Sequence, residues 1–339
     1  MDKASEQTVK IDQPLTDSYS RRIDYLRISV TDKCNLKCLY CMPSEGVKHF
    51  TDSDILTDEE IVRFVRIAHK HGLEKVRITG GEPLVRKNIT QLIAAIKAIG
   101  IRDLSLTTNG IMLSKQAEEL KKAGLNRVNI SLDSLDAERF GNITKGGDIS
   151  LVWESIKEAE RVGLVPVKIN MVPIRGINDD EIAAFASLTL DNDYHIRFIE
   201  LMPSACNGAW RKDKYVSSSE IMEKISKLGK VEEYKFKGRG PSRNYRIKGA
   251  AGVIGIISPI SEHFCSFCNR LRLTADGNIR PCLFSNIKID IKNPMRKGAS
   301  DEEIEALFLS AVKVKPQRHL LNEDINSSSL IDTMSKIGG

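Results

Sequence analysis

The sequence predicts an α/β fold: a partial, TIM-like barrel of six βα units followed by a smaller C-terminal domain. Three observations carry this. Short β-branched runs alternate with helix-period segments between residues 25 and 200, and successive βα units in one sheet imply right-handed crossovers and parallel strands. Strands covered by helices on both faces are apolar nearly throughout, but here every run carries polar groups at alternate positions, which favours a curled sheet with a polar lumen over a doubly wound one. After about residue 216 the alternation gives way to a Gly, Pro and Arg stretch, short strands and a second group of cysteines.

The elements follow in chain order. Residues 1–23 are polar and lack the apolar core of a secretory signal, so they are expected to form a loosely ordered arm on a cytoplasmic protein. The strands are "YLRISV" (25–30), "KVRITG" (75–80), "DLSLTT" (103–108), "RVNISL" (127–132), "PVKINMV" (166–172) and "HIRFIE" (195–200). Between them, residues 57–72, 88–100, 114–124, 150–163 and 178–190 have helical periodicity; the first opens on a Thr57/Glu60 capping box, and most end near a glycine. A further helix is expected over "SSSEIMEKISKLG" (217–229) and another from "SDEEIEALFLS" (300–310). The barrel is assigned to 24–240 and the second domain to 241–339.

A period of two places each strand's polar set on one side. The sets are Arg27 and Ser29; Arg77 and Thr79; Ser105 and Thr107; Asn129, Ser131 and Asp133; Lys168 and Asn170; and Arg197. A lumen holding Arg27, Arg77, Lys168 and Arg197 needs anionic company, because an unpaired buried cation is prohibitively costly. The plainer alternative is that these side chains snorkel from strand ends or pair with Glu200 and Asp133. The formal net charge is +6, but acids and bases are interleaved and no dense basic run appears, so nucleic acid is not an expected partner. No run of about 18 apolar residues predicts a membrane span.

Six of the seven cysteines fall into two groups, Cys34/Cys38/Cys41 and Cys265/Cys268/Cys282. In a cytosolic chain such clustering favours metal over disulfides, and Cys206 is a spare thiol. A structural zinc site wants four closed ligands, yet neither group has a fourth cysteine, and only His263 stands nearby. Three thiolates suit a [4Fe-4S] cluster with one iron left open to a non-protein ligand. The first group follows the first strand, where barrels build their active sites.

"CNLKCLYC" resembles the hallmark of radical S-adenosylmethionine (SAM) enzymes, and "TGGEP" (79–83) their second motif. From about residue 24 onward, "LRISVTDKCNLKCLYCMP", "VRITGGEPLVR", "LTTNG", "VNISLDSLD", "IRFIELMP", "CSFCNRLRLTADGNIRPCLF" and the terminal "IGG" are similar to the GTP 3′,8-cyclase family, lyases that open molybdenum cofactor biosynthesis. The arm before residue 24 is longer than that family's pattern, and "PSACNGAW" (203–210) varies a segment the family itself varies.

The resemblance implies two [4Fe-4S] clusters, on Cys34, Cys38 and Cys41 and on Cys265, Cys268 and Cys282. It implies SAM held by Tyr40, Gly80, Gly81, Glu82, Ser131 and Met202. GTP would lie between the clusters on Arg27, Arg77, Thr107, Lys168, Arg197, Arg270, Leu271 and Arg272, with Arg270, Arg272, Gly338 and Gly339 serving catalysis. The product would be (8S)-3′,8-cyclo-7,8-dihydroguanosine 5′-triphosphate. The family also implies a homodimer, a low-potential electron donor of the flavodoxin or ferredoxin type, and a downstream cyclic pyranopterin monophosphate synthase that takes the product. Two other readings compete: a radical SAM enzyme that modifies peptides, whose auxiliary domain usually has more cysteines, and a binding protein with two structural metal sites.

Overall fold

The computed structural model describes residues 14–43, 46–203, 212–235, 240–319 and 332–338. The six expected strands are present as β1 (Tyr25–Ser29), β2 (Lys75–Thr79), β3 (Asp103–Thr108), β4 (Arg127–Ser131), β5 (Lys168–Met171) and β6 (His195–Ile199). They pair in sequence order and all run parallel. The intervening helices are α1 (Asp58–Lys70), α2 (Ile89–Ala98), α3 (Ala117–Lys122), α4 (Ala137–Thr144), α5 (Ile149–Arg161) and α6 (Ile182–Asp191). The Thr57/Glu60 capping box opens α1 as expected.

Three of these helices differ from expectation. α6 starts at Ile182, four residues after the expected 178, because Asp179–Glu181 form a separate 3-10 turn. α3 starts three residues late, because the backbone N–H of Ser114 donates to Ser155 Oγ at 2.9 Å and the segment before Ala117 is a series of turns. α4 was not foreseen: its eight residues include Gly141, too short a stretch to show a period, and Asp136 caps it by accepting from the N–H of Arg139.

Beyond these lie α7 (Ser218–Ser226), β7 (Val231–Glu233), β8 (Ser242–Ile247), β9 (Val253–Ile257), β10 (Arg270–Leu273), β11 (Asn278–Arg280), β12 (Ile289–Asp290), α8 (Lys292–Arg296), α9 (Asp301–Lys313) and α10 (Met334–Ile337). All twelve strands join one sheet, in the order β12-β11-β10-β1-β2-β3-β4-β5-β6-β9-β8-β7. β9 adds in parallel to β6 and β10 in parallel to β1, while the outermost pairs are antiparallel. The chain after β6 therefore divides, and part of it covers each edge of the six-stranded unit.

One face of the sheet is dry. Leu26, Ile28, Val76, Ile78, Leu104, Leu106, Val128, Ile130, Ile169, Ile196 and Phe198 are fully buried against the helices, each contributing roughly 1.5 to 3 kcal/mol on burial. α9 closes over α1 through the edge-on rings of Phe64 and Phe308, 5.8 Å apart. The alternate residues face the other way, into a cavity of about 960 Å³.

Candidate active site

The cysteine groups occupy opposite ends of that cavity. Cys34, Cys38 and Cys41 lie in the loop leaving the C-terminal end of β1. Cys268 comes just before β10, which is parallel to β1, and Cys282 just after antiparallel β11, so the second group borders the ends where the parallel strands begin. All six are free, half-buried thiols that line the cavity. Among the described residues, the one His/Cys/Asp/Glu set with ligand atoms all within 4.8 Å is His263, Cys265 and His319. Neither cysteine triad is that tight, although one tetrahedral zinc would hold its sulfurs under about 4 Å apart. The donor sets fit a polynuclear cluster better than a single ion.

At the first end, the Gly80–Glu82 segment is packed against the cysteine loop. Gly81 N–H donates to Thr31 O at 2.7 Å and Glu82 N–H to Lys33 O at 2.9 Å. A Cβ on Gly80 would meet Thr31 O at 2.6 Å, and one on Gly81 would strike the Lys33 carbonyl. These glycines let two stretches of backbone meet. Glu82 is buried and accepts from Thr108 Oγ1 (2.8 Å), Leu84 N (3.1 Å) and Asn109 N (2.7 Å). Burial nevertheless pushes its carboxyl up to about 7. Asp133 accepts from Tyr40 Oη (2.7 Å) and Val172 N (2.9 Å), and burial raises it to about 6. Ser131 and Met202 line the same end.

Toward the other end the cavity wall is cationic. In register, Arg27 of β1 lies beside Arg77 of β2 on one side and Arg272 of β10 on the other. Like charges placed directly across neighbouring strands repel. Two residues earlier on the same strands, and so on the same face, stand Arg270, Tyr25 and Lys75, with Arg127, Lys168 and Arg197 on the opposing strands. Burial, then Arg197, depresses the Lys168 ammonium to about 6. Burial and neighbouring arginines bring Arg197 and Arg272 to about 9 and lower Arg27 and Arg77. Among the described residues, Arg77, Lys168, Arg197 and Arg272 make no ion pair within 4 Å. Glu200 and Asp133, their possible partners on sequence grounds, are engaged elsewhere: Glu200 accepts from Tyr215 Oη (2.7 Å) and from the N–H groups of Ser218, Ile260 and Ser261. Thr107 also lines this wall, and its buried hydroxyl has no partner among the described residues; Leu271 points away into the core.

The C-terminal tail packs against the cavity wall, which Met334 helps to line. Asp332 pairs with Arg280 (2.6 Å) and Lys288 (2.7 Å), Ile337 is buried, and the carbonyl of Gly338 accepts from Arg272 Nη1. Gly338 has φ +81°, and a Cβ there would collide with Thr79 Oγ1 and approach Ser29 Cβ to 3.1 Å, so both its conformation and its surroundings require glycine. Gly339 and Cys206 lie outside the described residues.

Sequence reasoning missed Tyr25 and Arg127. Tyr25 continues the Arg27/Ser29 alternation backward by two, a signal that was available. Its ring lies under the Arg77 guanidinium, 5.6 Å from centroid to Cζ, and its buried hydroxyl has no partner among the described residues. Burial alone would raise the phenol, but Arg77, Arg27, Arg127 and Arg270 together outweigh it and lower it. Arg127 likewise continues the Asn129/Ser131/Asp133 alternation backward by two, and it donates to Asp103 beside the strand starts.

Residues 28–189 match the radical SAM superfamily and residues 194–321 match the Molybdenum Cofactor Synthesis C family. The chain is 50% identical over 328 residues to the GTP 3′,8-cyclase of Pelotomaculum thermopropionicum, covering 96% of this chain and all of that protein. It is 48% identical over 326 residues to the GTP 3′,8-cyclase of Alkaliphilus metalliredigens, with the same coverage. Among solved structures, Streptococcus suis SuiB bound to S-adenosylmethionine is similar with a TM-score of 0.55 at 16% identity, over 93% of this chain and 77% of that one. That likeness speaks to the fold alone.

Proposed function

The chain belongs to the GTP 3′,8-cyclase family of radical SAM enzymes, and from that premise we propose that it converts GTP to (8S)-3′,8-cyclo-7,8-dihydroguanosine 5′-triphosphate, the first step of molybdenum cofactor biosynthesis. The observation that carries the proposal is the row Arg272, Arg27 and Arg77, flanked by Lys168 and Arg197, set between two cysteine triads. Such a row calls for a polyanion, and arginine grips phosphate bidentately.

Cys34, Cys38 and Cys41 would hold a [4Fe-4S] cluster through three irons, and Cys265, Cys268 and Cys282 a second. With SAM bound at the first cluster, reductive cleavage supplies the radical chemistry that removes the ribose 3′ hydrogen. The chain's own residues bind and orient. Glu82 offers a carboxylate to the methionine ammonium, Tyr40 and Asp133 shape the wall around SAM, and Ser131 and Met202 complete it. Arg27, Arg77, Lys168, Arg197, Arg270 and Arg272 neutralise the triphosphate, with Tyr25 and Thr107 hydroxyls free to donate to the nucleotide. Gly338 enters beside the reacting ribose, where a side chain would not fit, and Gly339 is assigned to catalysis with it on the family resemblance. Enclosure between sheet and loops keeps water and quenching groups from the reaction.

The division at residues 240 and 241 is retained as functional: the earlier part holds SAM, and the later part contributes the second triad and Arg270 and Arg272. A homodimer, a cytoplasmic location, a low-potential flavodoxin- or ferredoxin-type donor, and a cyclic pyranopterin monophosphate synthase as consumer of the product belong to the same proposal. No helix among the described residues is long and apolar enough to cross a membrane. The test is anaerobic incubation of reconstituted protein with SAM, GTP and reductant. Deoxyadenosine together with the cyclised nucleotide is expected, and deoxyadenosine without GTP consumption would overturn the substrate assignment.

A further inference from the structure

All three cysteine segments of the second triad are held through their backbone carbonyls by two buried cations, Arg21 and Lys315, the second of which also lines the cavity. Arg21 is 6% exposed. Its Nη1 donates to the carbonyl of Cys265 at 2.8 Å and to Gln317 O at 2.9 Å, and its Nη2 to Pro316 O at 2.7 Å. Lys315 is 3% exposed. Its Nζ donates to Arg270 O, two residues past Cys268, and to Pro281 O, next to Cys282, both at 2.8 Å. One ammonium thus joins the backbone two residues after Cys268 to the backbone one residue before Cys282.

The two cations differ in how their charge is met. Arg21 has a buried carboxylate, Asp17, with Nε and Oδ2 2.6 Å apart. Among the described residues, the partners of Lys315 Nζ are neutral carbonyls, and no carboxylate lies within 4 Å of it. Burial depresses the ammonium; the thiolates of Cys268 and Cys282 act to support its charge, while Arg21 and Arg270 oppose it. A buried cation without a carboxylate is retained where another anion compensates it. The anionic groups that act on it are the thiolates of Cys268 and Cys282.

We propose that Lys315 is a positioning residue of the second cysteine triad: a buried ammonium that holds the Cys268 and Cys282 segments together and balances the negative charge of a thiolate-bound cluster, keeping its reduction potential up. This rests on the second-cluster assignment above. The charge matters because cluster potentials respond to nearby charge and hydrogen bonding. Removing a neighbouring cation makes the added electron harder to accept.

The test uses full-length protein carrying Cys34→Ala, Cys38→Ala and Cys41→Ala, so that only the second triad can hold iron. It compares Lys315, Lys315→Met and Lys315→Arg in that background by iron analysis and by redox titration followed by electron paramagnetic resonance. Lys315→Met is expected to lower the midpoint potential, with Lys315→Arg close to the parent. If Lys315→Met instead loses its iron while Lys315→Arg keeps it, the charge is needed to hold the cluster and the proposal also stands. Full iron with an unchanged potential in Lys315→Met overturns it, as does equal iron loss in both variants. Absence of iron from the Lys315 parent refutes the second-cluster assignment and the proposal with it.

Discussion

At the end of the cavity where the strands finish, burial acts on acids, and Glu82 and Asp133 are pushed up to about 7 and about 6. Toward the end where the strands begin it acts on bases, and Lys168 falls to about 6 while the arginine row is depressed. The cause is the same in both places, since a dry wall penalises charge of either sign. What differs is the ligand that would relieve it. On the proposed function a cationic group would complete the first end and a polyanion the second, so one continuous cavity would sort two ligands by charge, without a partition between them.

The sharpest break between the ends is expected at the metal. Replacing Cys34, Cys38 and Cys41 by Ala should abolish deoxyadenosine formation and leave about four of about eight irons, measured by product analysis and iron content. Retained SAM cleavage would show that the two ends are not distinct in role. Deleting Gly338 and Gly339 should leave iron and SAM binding intact but cut cyclised nucleotide on the order of a hundredfold, the scale of misplacement at a reacting centre. A paired assay of deoxyadenosine and product reads this directly, and product at the parent rate would return the tail to a passive end.

Smaller effects separate the ends by affinity. Arg77→Ala and Arg270→Ala should each weaken GTP binding about tenfold or more, since charge-assisted contacts contribute about 1.5 to 3 kcal/mol, while SAM affinity stays unchanged. Calorimetry with both ligands at fixed salt decides it. The smallest effect is in pH. Lys168 is largely neutral in the free protein above about pH 6, and a bound triphosphate raises its affinity for a proton. GTP binding should therefore take up protons and tighten by about threefold per unit as pH falls from roughly 9 to 7. Glu82 is half protonated near pH 7, and a bound cation favours its ionised form. SAM binding should release protons and tighten as pH rises through about 7. Lys168→Met should flatten the first profile and leave the second; two profiles of the same sign would contradict the charge sorting.

Much of this was legible in the chain. The strands carried β-branched runs with polar residues every second position, so Arg27, Arg77, Lys168 and Arg197 could be placed on one wall before any coordinates. The cysteine spacings and "TGGEP" marked the first end. What could not be read was pairing at long separation. Nothing in "RLRL" announces that β10 lies against β1, nor in "VIGII" that β9 lies against β6, because strand pairing between distant segments leaves no periodicity in either. Arg21 and Lys315 were invisible for a related reason: each gains its role from carbonyl groups far along the chain, and carbonyls have no sequence signature.

That long-range pairing bears on how the protein is made. Until β9 and β10 are synthesised, β6 and β1 are bare edges of a parallel sheet, with unpaired N–H and C=O groups able to recruit strands from other chains. The nascent six-stranded unit should therefore depend on its last hundred or so residues arriving before it meets a neighbour, and a chain stopped after α7 should collect as aggregate. The segment that brings Arg270 and Arg272 to the cavity is thus also the one that covers the β1 edge, so a molecule missing those two of its six cations is also one that the cell would find insoluble.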